Sequence, residues 1–257
     1  MNRVFVAHIS STGFGSLAVI DGSNNTVMTY IPLGQETSPA GVAVNQNTGR
    51  VYVAVPGNKS VAVIDGLSNS LADTINGIPE PVGVAVNTMT NRVYVAGLDS
   101  DTVTVIDGGS DTILAGVNVG GGSAGSVAVN PNTNRIYVGT NGAVAVLDGN
   151  TNTVLASIPT SSGYSMYGAA VNGAQNQIYV TIQGLNTLAI IDGASNKVVR
   201  TLAVGNAPLG VDSNPNTNRA YVANTSSSTL SVIGDAPAMQ ITAPRLSSSI
   251  LQGLKAI

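Results

Sequence analysis

The run Val51-Tyr52-Val53-Ala54 decides the fold of this chain, because versions of it recur along almost the whole sequence. The tyrosine returns every 42 or 43 residues, and the series is Tyr52, Tyr94, Tyr137, Tyr179 and Tyr221. Asn2-Arg3-Val4-Phe5-Val6-Ala7 is a sixth version at the start of the chain. A self-similar unit of about 40–45 residues is typical of propeller blades and of solenoids. The period therefore predicts a single repetitive domain over residues 1–257.

Each unit predicts four β-strands, which we name a, b, c and d in chain order. Examples are residues 83–87 for strand a, the tyrosine run for strand b, residues 61–64 for strand c and residues 112–117 for strand d. Most of these runs are rich in β-branched residues and bounded by Gly, Asn, Asp or Pro, which indicates strands. The inner strands are apolar at consecutive positions, as strands covered on both faces are, and neighbouring propeller blades cover each other in that way. The pattern predicts an all-β fold, a six-bladed β-propeller of four-stranded antiparallel blades.

The two ends of the chain predict how the ring closes. The sequence begins at a strand b and runs past its last strand c into residues 236–257, which we name the closing segment. Because an unclosed ring leaves strand edges open, we expect residues 239–244 to form the last strand d and residues 248–252 the missing strand a of the first blade. A short amphipathic helix is the alternative, since apolar residues recur there at near-helical spacing. These residues are Leu246, Ile250, Leu254 and Ile257.

Composition narrows the classes of partner and of site. The chain has a formal net charge of -3, only 10 Lys and Arg residues and no basic run, which argues against nucleic acid as a partner. Without cysteine it can form neither disulfides nor a thiolate metal site. No apolar stretch approaches the roughly 18 residues of a membrane span, and no signal peptide is visible before the first repeat strand. We expect a monomer without a membrane span.

Two polar motifs accompany the strands. Strand c ends in Asp-Gly five times, at Asp21, Asp65, Asp107, Asp148 and Asp192. A calcium loop is one interpretation, because oxygen ligands at short spacing suit that ion. Most of these loops hold a single acid, however, so a tight turn with glycine at positive φ is expected instead. Strand b begins with arginine in five units, and antiparallel pairing predicts that each arginine faces the aspartate of its own unit, as Arg50 would face Asp65 and Arg92 would face Asp107.

The units resemble the YVTN β-propeller repeat. The motif is clearest in Arg92-Val93-Tyr94-Val95-Ala96, and it is joined by Val61-Ala62-Val63-Ile64-Asp65-Gly66 and by Pro81-Val82-Gly83-Val84-Ala85-Val86-Asn87. The resemblance covers roughly residues 2–235 in six copies. It implies the propeller fold, a binding or scaffold role, and an extracytoplasmic place at the cell surface or in the periplasm. Some related propellers are lyases or lactonases, but no catalytic motif of the family maps onto this chain.

Charged residues that the repeat does not explain are candidates for a site. In a propeller the d–a and b–c loops share one face, where ligands bind around the central channel. Glu36 and Glu80 fall in d–a loops, Asp99 and Asp101 in a b–c loop, and Asp212 replaces the alanine of strand a. Together they would place carboxylates at one mouth of the channel, for a basic ligand or for Ca²⁺ or Mg²⁺ held by Asp212 and Glu80. The alternative is that the loop charges are solvated and that Asp212 has a structural partner, because an unpaired buried carboxylate costs several kcal/mol.

Two tyrosines and the single histidine complete the candidate set. Tyr164 and Tyr167 fall in the fifth d–a loop, outside the repeat position, and tyrosines on a loop favour contact with sugars, peptides or proteins. The alternative is that Tyr167 and Met166 plug the channel mouth in place of the proline of other units. His8 is expected in the first b–c loop, either as a general base or as a solvent-exposed residue.

These patterns predict a non-catalytic binding or scaffold protein that uses the loop face to hold a protein, peptide or glycan. No residue is predicted to be catalytic. The alternative is a propeller hydrolase or lyase of the lactonase type, with a divalent cation at the channel mouth.

Overall fold

The strands form six antiparallel sheets that are arranged as blades in a ring around a central channel. The computed structural model describes residues 2–160, 166–234 and 239–242, with only the backbone described for the last four. Five blades contain four strands each, and the first contains three described strands. The predicted all-β, six-bladed propeller is therefore confirmed.

The blades follow one another along the chain, and in each sheet consecutive strands are neighbours. Blade 1 comprises β1 (Arg3–Ile9), β2 (Phe14–Asp21) and β3 (Thr26–Gln35). Blade 2 comprises β4 (Val42–Asn45), β5 (Arg50–Val55), β6 (Ser60–Asp65) and β7 (Ser70–Asn76). Blade 3 comprises β8 (Pro81–Asn87), β9 (Arg92–Gly97), β10 (Thr102–Asp107) and β11 (Thr112–Asn118). Blade 4 comprises β12 (Ser126–Asn130), β13 (Arg135–Gly139), β14 (Ala143–Asp148) and β15 (Thr153–Pro159). Blade 5 comprises β16 (Ala169–Asn172), β17 (Gln177–Ile182), β18 (Thr187–Asp192) and β19 (Lys197–Ala203). Blade 6 comprises β20 (Pro208–Asn214), β21 (Arg219–Asn224), β22 (Thr229–Ile233) and β23 (Met239–Thr242).

Helical structure within the described ranges is limited to two single 3₁₀ turns in b–c loops, Pro56–Asn58 and Gln183–Leu185. Neither turn is long enough to cross a membrane, and no other helix in those ranges is a candidate span.

Apolar packing takes place between the faces of neighbouring blades, at contacts that we call seams. Each of the five buried clusters combines residues of two adjacent blades. In β5, alternate residues serve opposite seams, because Tyr52 and Ala54 pack toward blade 3 whereas Val51 and Val53 pack toward blade 1. All four side chains are fully buried. This burial on both faces explains why the inner strands are apolar at consecutive positions.

The two ends of the propeller differ in what they carry. The turn face carries the a–b turns, such as residues 88–91, and the c–d turns, such as residues 66–69. The loop face carries the b–c loops, such as residues 56–59, and the d–a loops, such as residues 77–80. The inner strand a of blades 2 to 6 therefore starts at the loop face and ends at the turn face.

The Asp-Gly motifs form tight c–d turns on the turn face. The Asp65 carboxylate accepts hydrogen bonds from the N–H groups of Ser68 and Leu67, at 3.1 and 2.8 Å. These bonds hold the pKa of Asp65 below its ordinary value. Asp21, Asp107, Asp148 and Asp192 accept bonds from their own turns in the same way. The tight-turn interpretation is confirmed.

An asparagine at the end of strand a joins each of blades 2 to 5 to the blade that follows it. The Asn45 amide donates to Asn91 Oδ1 in blade 3 at 2.7 Å, and the Asn87 amide donates to Asn134 Oδ1 in blade 4 at 2.7 Å. The same bond links Asn130 to Asn176 and Asn172 to Asn218. Each donor is completely buried, and each acceptor has a positive φ in the a–b turn of its blade. Asparagine suits both places, because its amide can bond across the seam and it tolerates the left-handed conformation.

The repeated tyrosine meets the repeated glycine of the next blade. The Tyr52 hydroxyl lies against Gly108, with 3.3 Å between the hydroxyl and the Gly108 carbonyl oxygen. A Cβ added to Gly108 would lie 2.9 Å from that hydroxyl, and one added to Gly193 would lie 2.8 Å from the Tyr137 hydroxyl. Burial raises the pKa of Tyr52 to about 12. The repeated tyrosine of one blade and the Asp-Gly glycine of the next therefore contact each other, which explains why both recur in the sequence.

The arginines that begin strand b mostly reach the next blade as well. The Arg50 guanidinium pairs with the Asp111 carboxylate in the c–d turn of blade 3. The Arg92 guanidinium donates to the Gly149 carbonyl oxygen in the corresponding turn of blade 4. Arg3 binds the c–d turn of blade 2 in the same manner. Arg3, Arg50 and Arg92 thus all contact the c–d turn of the blade that follows their own.

The predicted pairing within one unit is wrong for Arg50 and Arg92 and is confirmed for Arg135, whose Nη1 lies 2.6 Å from the Asp148 carboxylate. The strand register does place the Cα of Arg50 opposite that of Asp65. The Arg50 side chain nevertheless extends to the next blade, where it pairs with the Asp111 carboxylate. Bonding of the aspartate to its own turn does not explain the difference, because Asp148 has such a bond as well and still pairs with Arg135.

The predicted closing segment lies only partly within the described residues. The expected last strand d is confirmed as β23, which pairs antiparallel with β22. The expected strand a at residues 248–252 and the alternative helix lie outside the described residues, as does the rest of the segment beyond Thr242.

Candidate functional site

The channel holds a cavity at each end. The cavity on the loop-face side, which we call the mouth cavity, is lined by the first residues of the inner strands and has a volume of about 300 Å³. The cavity on the turn-face side, which we call the turn-end cavity, is lined by the later residues of the same strands and has a volume of about 260 Å³. Any ligand of the channel would approach one of these two ends.

Glycine at the start of the inner strands allows neighbouring blades to approach closely at the mouth. The Gly41 N–H donates to the Val82 carbonyl oxygen of blade 3 at 2.9 Å, and a Cβ at Gly41 would collide with that oxygen. A Cβ at Gly168 would likewise collide with the Leu209 carbonyl oxygen of blade 6. Because the backbones meet so closely, the mouth is narrow and its walls are set by the few side chains that flank these glycines.

The walls of the mouth cavity are mainly apolar. Val82, Leu98, Tyr167 and Leu209 contribute side chains to it near the glycine backbones, and valines of the inner strands line it further in. Tyr167 is 39% exposed. The Ser126 hydroxyl also reaches this cavity, but it donates to a backbone carbonyl at 3.0 Å. The described residues that line the mouth cavity include no carboxylate, histidine, lysine or arginine.

The predicted loop acids lie on the loop face but do not line this cavity. Glu36 is exposed, and Glu80 Oε1 lies 4.0 Å from Lys59 Nζ of a neighbouring b–c loop. Both glutamates have a positive φ, of 56° and 36°. Asp99 is exposed and Asp101 is half-buried in their b–c loop, outside both cavities. The two glutamates are therefore residues of the d–a loops, and they do not line the mouth cavity.

Asp212 lies at the other end of the channel. It borders the turn-end cavity together with Phe5 and Gln46, and its Oδ1 accepts a hydrogen bond from the Ser213 N–H at 2.8 Å. The alanines that occupy this position in blades 2 to 5 pack toward the following blade. Asp212 is therefore on the side of blade 6 that faces blade 1.

Asp212 borders the turn-end cavity, whereas Glu80 lies in a d–a loop of the loop face, and the Ca²⁺ or Mg²⁺ site expected at these residues stays a prediction. Across residues 2–160, 166–234 and 239–242, no three carboxylate or imidazole side chains are grouped so that they could hold a metal ion. The arrangement offers a single carboxylate at the turn end and an apolar mouth at the loop face.

His8 lies inside strand β1 and not in the b–c loop where it was expected. The register places it opposite Ser16 of β2, and its Nδ1 lies 3.3 Å from the Ser16 hydroxyl. Its ring packs near Tyr30 of β3, with the ring centroids 5.7 Å apart. His8 is the sixth residue of its strand b, a position that also belongs to the strand in other blades, as Val55 and Ile182 show. His8 lines neither cavity.

The tyrosine loop of blade 5 divides into two parts. Tyr167 lines the mouth cavity, whereas Met166 is buried in the seam between blades 4 and 5. Tyr164 lies outside the described residues. Of the predicted binding residues within the described ranges, Tyr167 alone contributes a side chain to the mouth cavity.

The sequence interpretation missed the apolar residues of the mouth because it searched for charges. Val82 and Leu209 each precede the glycine of strand a, at a position that is Ala40 in blade 2. Leu98 is the first residue after strand β9. A larger side chain in place of alanine, just before a repeated glycine, is the signal that could have identified this wall.

Comparison with known proteins supports the fold and leaves the family open. Neither the protein-family models nor the curated proteins contain a match to this chain. A solved structure titled Kuenenia stuttgartiensis hydrazine synthase is similar, with a TM-score of 0.60 and 15% sequence identity over 92% of this chain and 96% of that one. At this identity the likeness concerns the propeller fold alone. The YVTN-repeat family remains a resemblance of the repeats.

Proposed function

We propose that this protein is a non-catalytic binding or scaffold propeller, and that its mouth cavity takes an apolar or aromatic side chain of a protein or peptide partner. The observation that carries the proposal is the apolar wall formed by Val82, Leu98, Tyr167 and Leu209 at the open end of the channel. Removing apolar groups from water favours association.

The size and chemistry of the cavity favour a side chain over a larger ligand. Its volume of about 300 Å³ is at the lower end of ligand sites, which span roughly 300–1,000 Å³. A glycan would need several polar groups to replace its hydrogen bonds to water. The described wall supplies the Tyr167 hydroxyl and little else. Tyrosine at the rim suits a peptide, because its ring packs and its hydroxyl bonds to a backbone.

The same wall argues for binding over a hydrolase or lyase. Such an enzyme needs a general acid, a general base or a cation near the reacting bond. The predicted carboxylates are separated, with Glu36 and Glu80 in the outer loops and Asp212 at the other end of the channel. Binding therefore fits the geometry of the described residues better than catalysis does.

The test is to pan a displayed random-peptide library against the immobilised protein and to measure the affinity of enriched peptides by calorimetry. We expect the enriched peptides to share one large apolar or aromatic residue. Leu98→Asp places a carboxylate in the wall and should weaken their binding by about tenfold or more, which corresponds to about 1.4 kcal/mol.

Leu185→Asp is the matched control, because Leu185 is an exposed leucine in a b–c loop of the same face and lies outside the mouth cavity. It should bind the peptides within about twofold of the wild type, since surface changes away from a contact have small effects. Melting curves of both variants establish that they are folded. Peptides that bind Leu98→Asp as tightly as wild type, or a library without enrichment, would contradict the proposed site.

A further inference from the structure

The inner strands of blades 2 to 6 line the channel in two rows of residues. The rim row lies one residue before the repeated glycine of strand a, which is serine in blade 4, and its members all line the mouth cavity: Ala40, Val82, Gly125, Tyr167 and Leu209. The floor row lies two residues further along each strand and comprises Val42, Val84, Val127, Ala169 and Val211. Val127, Ala169 and Val211 line the turn-end cavity as well as the mouth cavity. The floor row therefore lies where the two cavities meet.

The side chains of the rim row narrow the mouth in one direction. The inner strands contact one another in chain order, β4, β8, β12, β16 and β20, so in a ring of six blades blade 3 faces blade 6 and blade 2 faces blade 5. Val82 of blade 3 thus lies across the mouth from Leu209 of blade 6. Leu98 extends the blade 3 wall over blade 4, because its Cδ1 lies 3.9 Å from the position of a Cβ added to Gly125. Blade 2 contributes only Ala40 to this row, so the mouth is wider toward blade 2.

Blade 5, on the side opposite blade 2, departs from the repeat in both rows. Tyr167 is the largest residue of the rim row, and Ala169 stands in the floor row where the other described inner strands have valine. The Gly168 carbonyl oxygen between them accepts a bond from the Thr181 N–H at 3.0 Å, so the β16–β17 ladder reaches Gly168. Residues on either side of an extended residue point the same way, and both side chains line the mouth cavity. Because alanine lacks the branched methyl groups of valine, the floor below Tyr167 has more room than the floor of the other blades.

Packing within the seam is a second explanation for the small residue at this position. Ala169 shares the buried cluster between blades 4 and 5 with Met166, which stands where blades 2, 3 and 6 have proline. An exchange of bulk between these two residues would account for an alanine that is enclosed by the seam. Ala169, however, also lines both cavities. The space beside it is therefore continuous with the channel and accessible to a ligand of the mouth.

We propose that the mouth cavity is a slot for a planar aromatic side chain of the partner, and that Ala169 is the residue that determines this preference. The inference rests on the proposed binding function and names the side chain that the mouth selects. The ring lies between Val82 on one side and Leu209 on the other, and its far edge reaches Ala169. Tyr167 above it contacts the ring edge to face, an arrangement that aromatic pairs prefer. A branched aliphatic side chain is thicker than a ring and fills the length of the slot less well.

Two displayed peptide libraries with the same random flanks test this preference, one with phenylalanine and one with leucine at a fixed central position. Panned against the full-length protein, the phenylalanine library should enrich. Each enriched peptide should bind about tenfold more weakly when its phenylalanine is replaced by leucine, an effect of the size that shape differences have in apolar pockets. Calorimetry measures both affinities, and their ratio is the readout. An unfolded fraction of the protein cancels from this ratio, because both peptides are measured on the same sample.

Ala169→Val gives blade 5 the floor residue of the other blades and should lower the phenylalanine-to-leucine ratio by about tenfold, because added methyl groups in an apolar pocket have effects of that size. Leu209→Ala removes one wall of the slot and should lower the ratio as well, which keeps the test decisive if Ala169→Val is perturbed in the seam. Ala174→Val is the matched control, since Ala174 is an exposed alanine in the a–b turn of the same blade and lines neither cavity. Its ratio should stay within about twofold of the wild type.

Three outcomes would overturn the slot, and they can be told apart. Enrichment of the leucine library as strong as that of the phenylalanine library, with binding that Leu98→Asp weakens, would leave the proposed binding function in place and remove the aromatic preference. A lower melting temperature of Ala169→Val without a change in the ratio would show that the alanine serves only the packing of Met166. Enrichment from neither library would remove the binding function and this inference with it.

Discussion

The turn face and the loop face of this propeller carry different kinds of residue. On the turn face, the repeated Asn87, Tyr52 and Arg50 each contact the following blade. On the loop face, loops of different length surround an apolar cavity that includes Leu98 and Tyr167. The comparison teaches that the repeated polar residues join the blades, whereas departures from the repeat are available for binding. Variants on the turn face should therefore reduce stability, and variants on the loop face should reduce binding with little change in stability.

The largest expected difference is between two tyrosines. Tyr137→Ala removes a fully buried ring from the seam between blades 4 and 5 and should lower the free energy of unfolding by about 3–5 kcal/mol, as for other buried aromatics. Tyr167→Ala, at a partly exposed loop-face position, should lower it by less than about 1 kcal/mol. Urea unfolding followed by circular dichroism measures both values. Equal losses would remove the distinction between the faces.

The asparagine contact between blades should give the next largest effect. Asn87→Ala leaves Asn134 Oδ1 and the N–H groups of Met89 and Thr90 without their partner. Because a buried group left unpaired costs about 1–3 kcal/mol, we expect a loss of about 2–3 kcal/mol in urea unfolding. Asn118→Ala is the control at the loop-face end of β11, where an exposed asparagine accepts one local bond from Gly120. A loss for the control as large as that for Asn87→Ala would contradict the joining role.

The arginine contact should give a smaller effect that depends on pH. Burial raises the pKa of Asp111, and the Arg50 guanidinium opposes this rise. Arg50→Ala removes the opposing charge and should lower stability by about 1–2 kcal/mol at pH 7, less than for a fully buried pair because the arginine is partly exposed. A raised pKa in the folded state means that stability increases as the pH falls toward the unfolded value. The deficit of Arg50→Ala relative to wild type should therefore shrink between pH 7 and pH 5, and a deficit independent of pH would exclude Asp111 as its cause.

The c–d turns should contribute to stability with the opposite pH dependence. The N–H groups of Ser68 and Leu67 lower the pKa of Asp65 in the folded state. A lowered pKa means that the contribution is present above the unfolded pKa and is lost as the pH falls through the folded one. Asp65→Asn should show a smaller decrease in melting temperature than wild type between pH 5 and pH 2.5. Scanning calorimetry measures both melting temperatures. If they decrease equally in wild type and in Asp65→Asn, the turn bonds do not depend on the charge of Asp65.

The smallest expected effect is a gain of stability on the loop face. Ala207 has a φ of 51° in a d–a loop, a conformation that is unfavourable for residues with a Cβ. Ala207→Gly should raise the free energy of unfolding by about 0.5 kcal/mol, because glycine relieves this strain but adds entropy to the unfolded chain. Ala203→Gly, at an exposed position in β19, should lower stability by about 0.5–1 kcal/mol. A loss for both variants would show that the loop is not strained at Ala207.

The sequence predicted the blades well because burial in this fold acts on short segments. A strand such as β5 is covered on both faces, so its residues are apolar one after another and the repeat is visible without any structure. The Asp-Gly turns were predictable for the same reason, since Asp65 bonds within three residues of itself. The partner of Arg50 was not predictable, because Asp111 lies 61 residues away in the next blade.

The candidate site was predicted less well than the fold. The charges that were chosen from the sequence lie apart in the structure, with Glu80 in an outer loop and Asp212 at the turn end. Tyr167 was chosen and does line the mouth cavity. Leu98 and Leu209 were missed, because each is an ordinary apolar residue until the ring brings the blades that carry them to one mouth.

By itself, the sequence determined the number of blades, the strands of each blade and the turns between them, because periodic burial and turn chemistry act over a few residues. Only the tertiary structure decided which blade each Arg, Asn and Tyr contacts and which side chains surround the channel. Those contacts depend on how closely neighbouring inner strands approach, as Gly41 and Val82 do at the mouth. The spacing between blades is set when the blades pack into the ring, so it cannot be predicted from the sequence of one repeat.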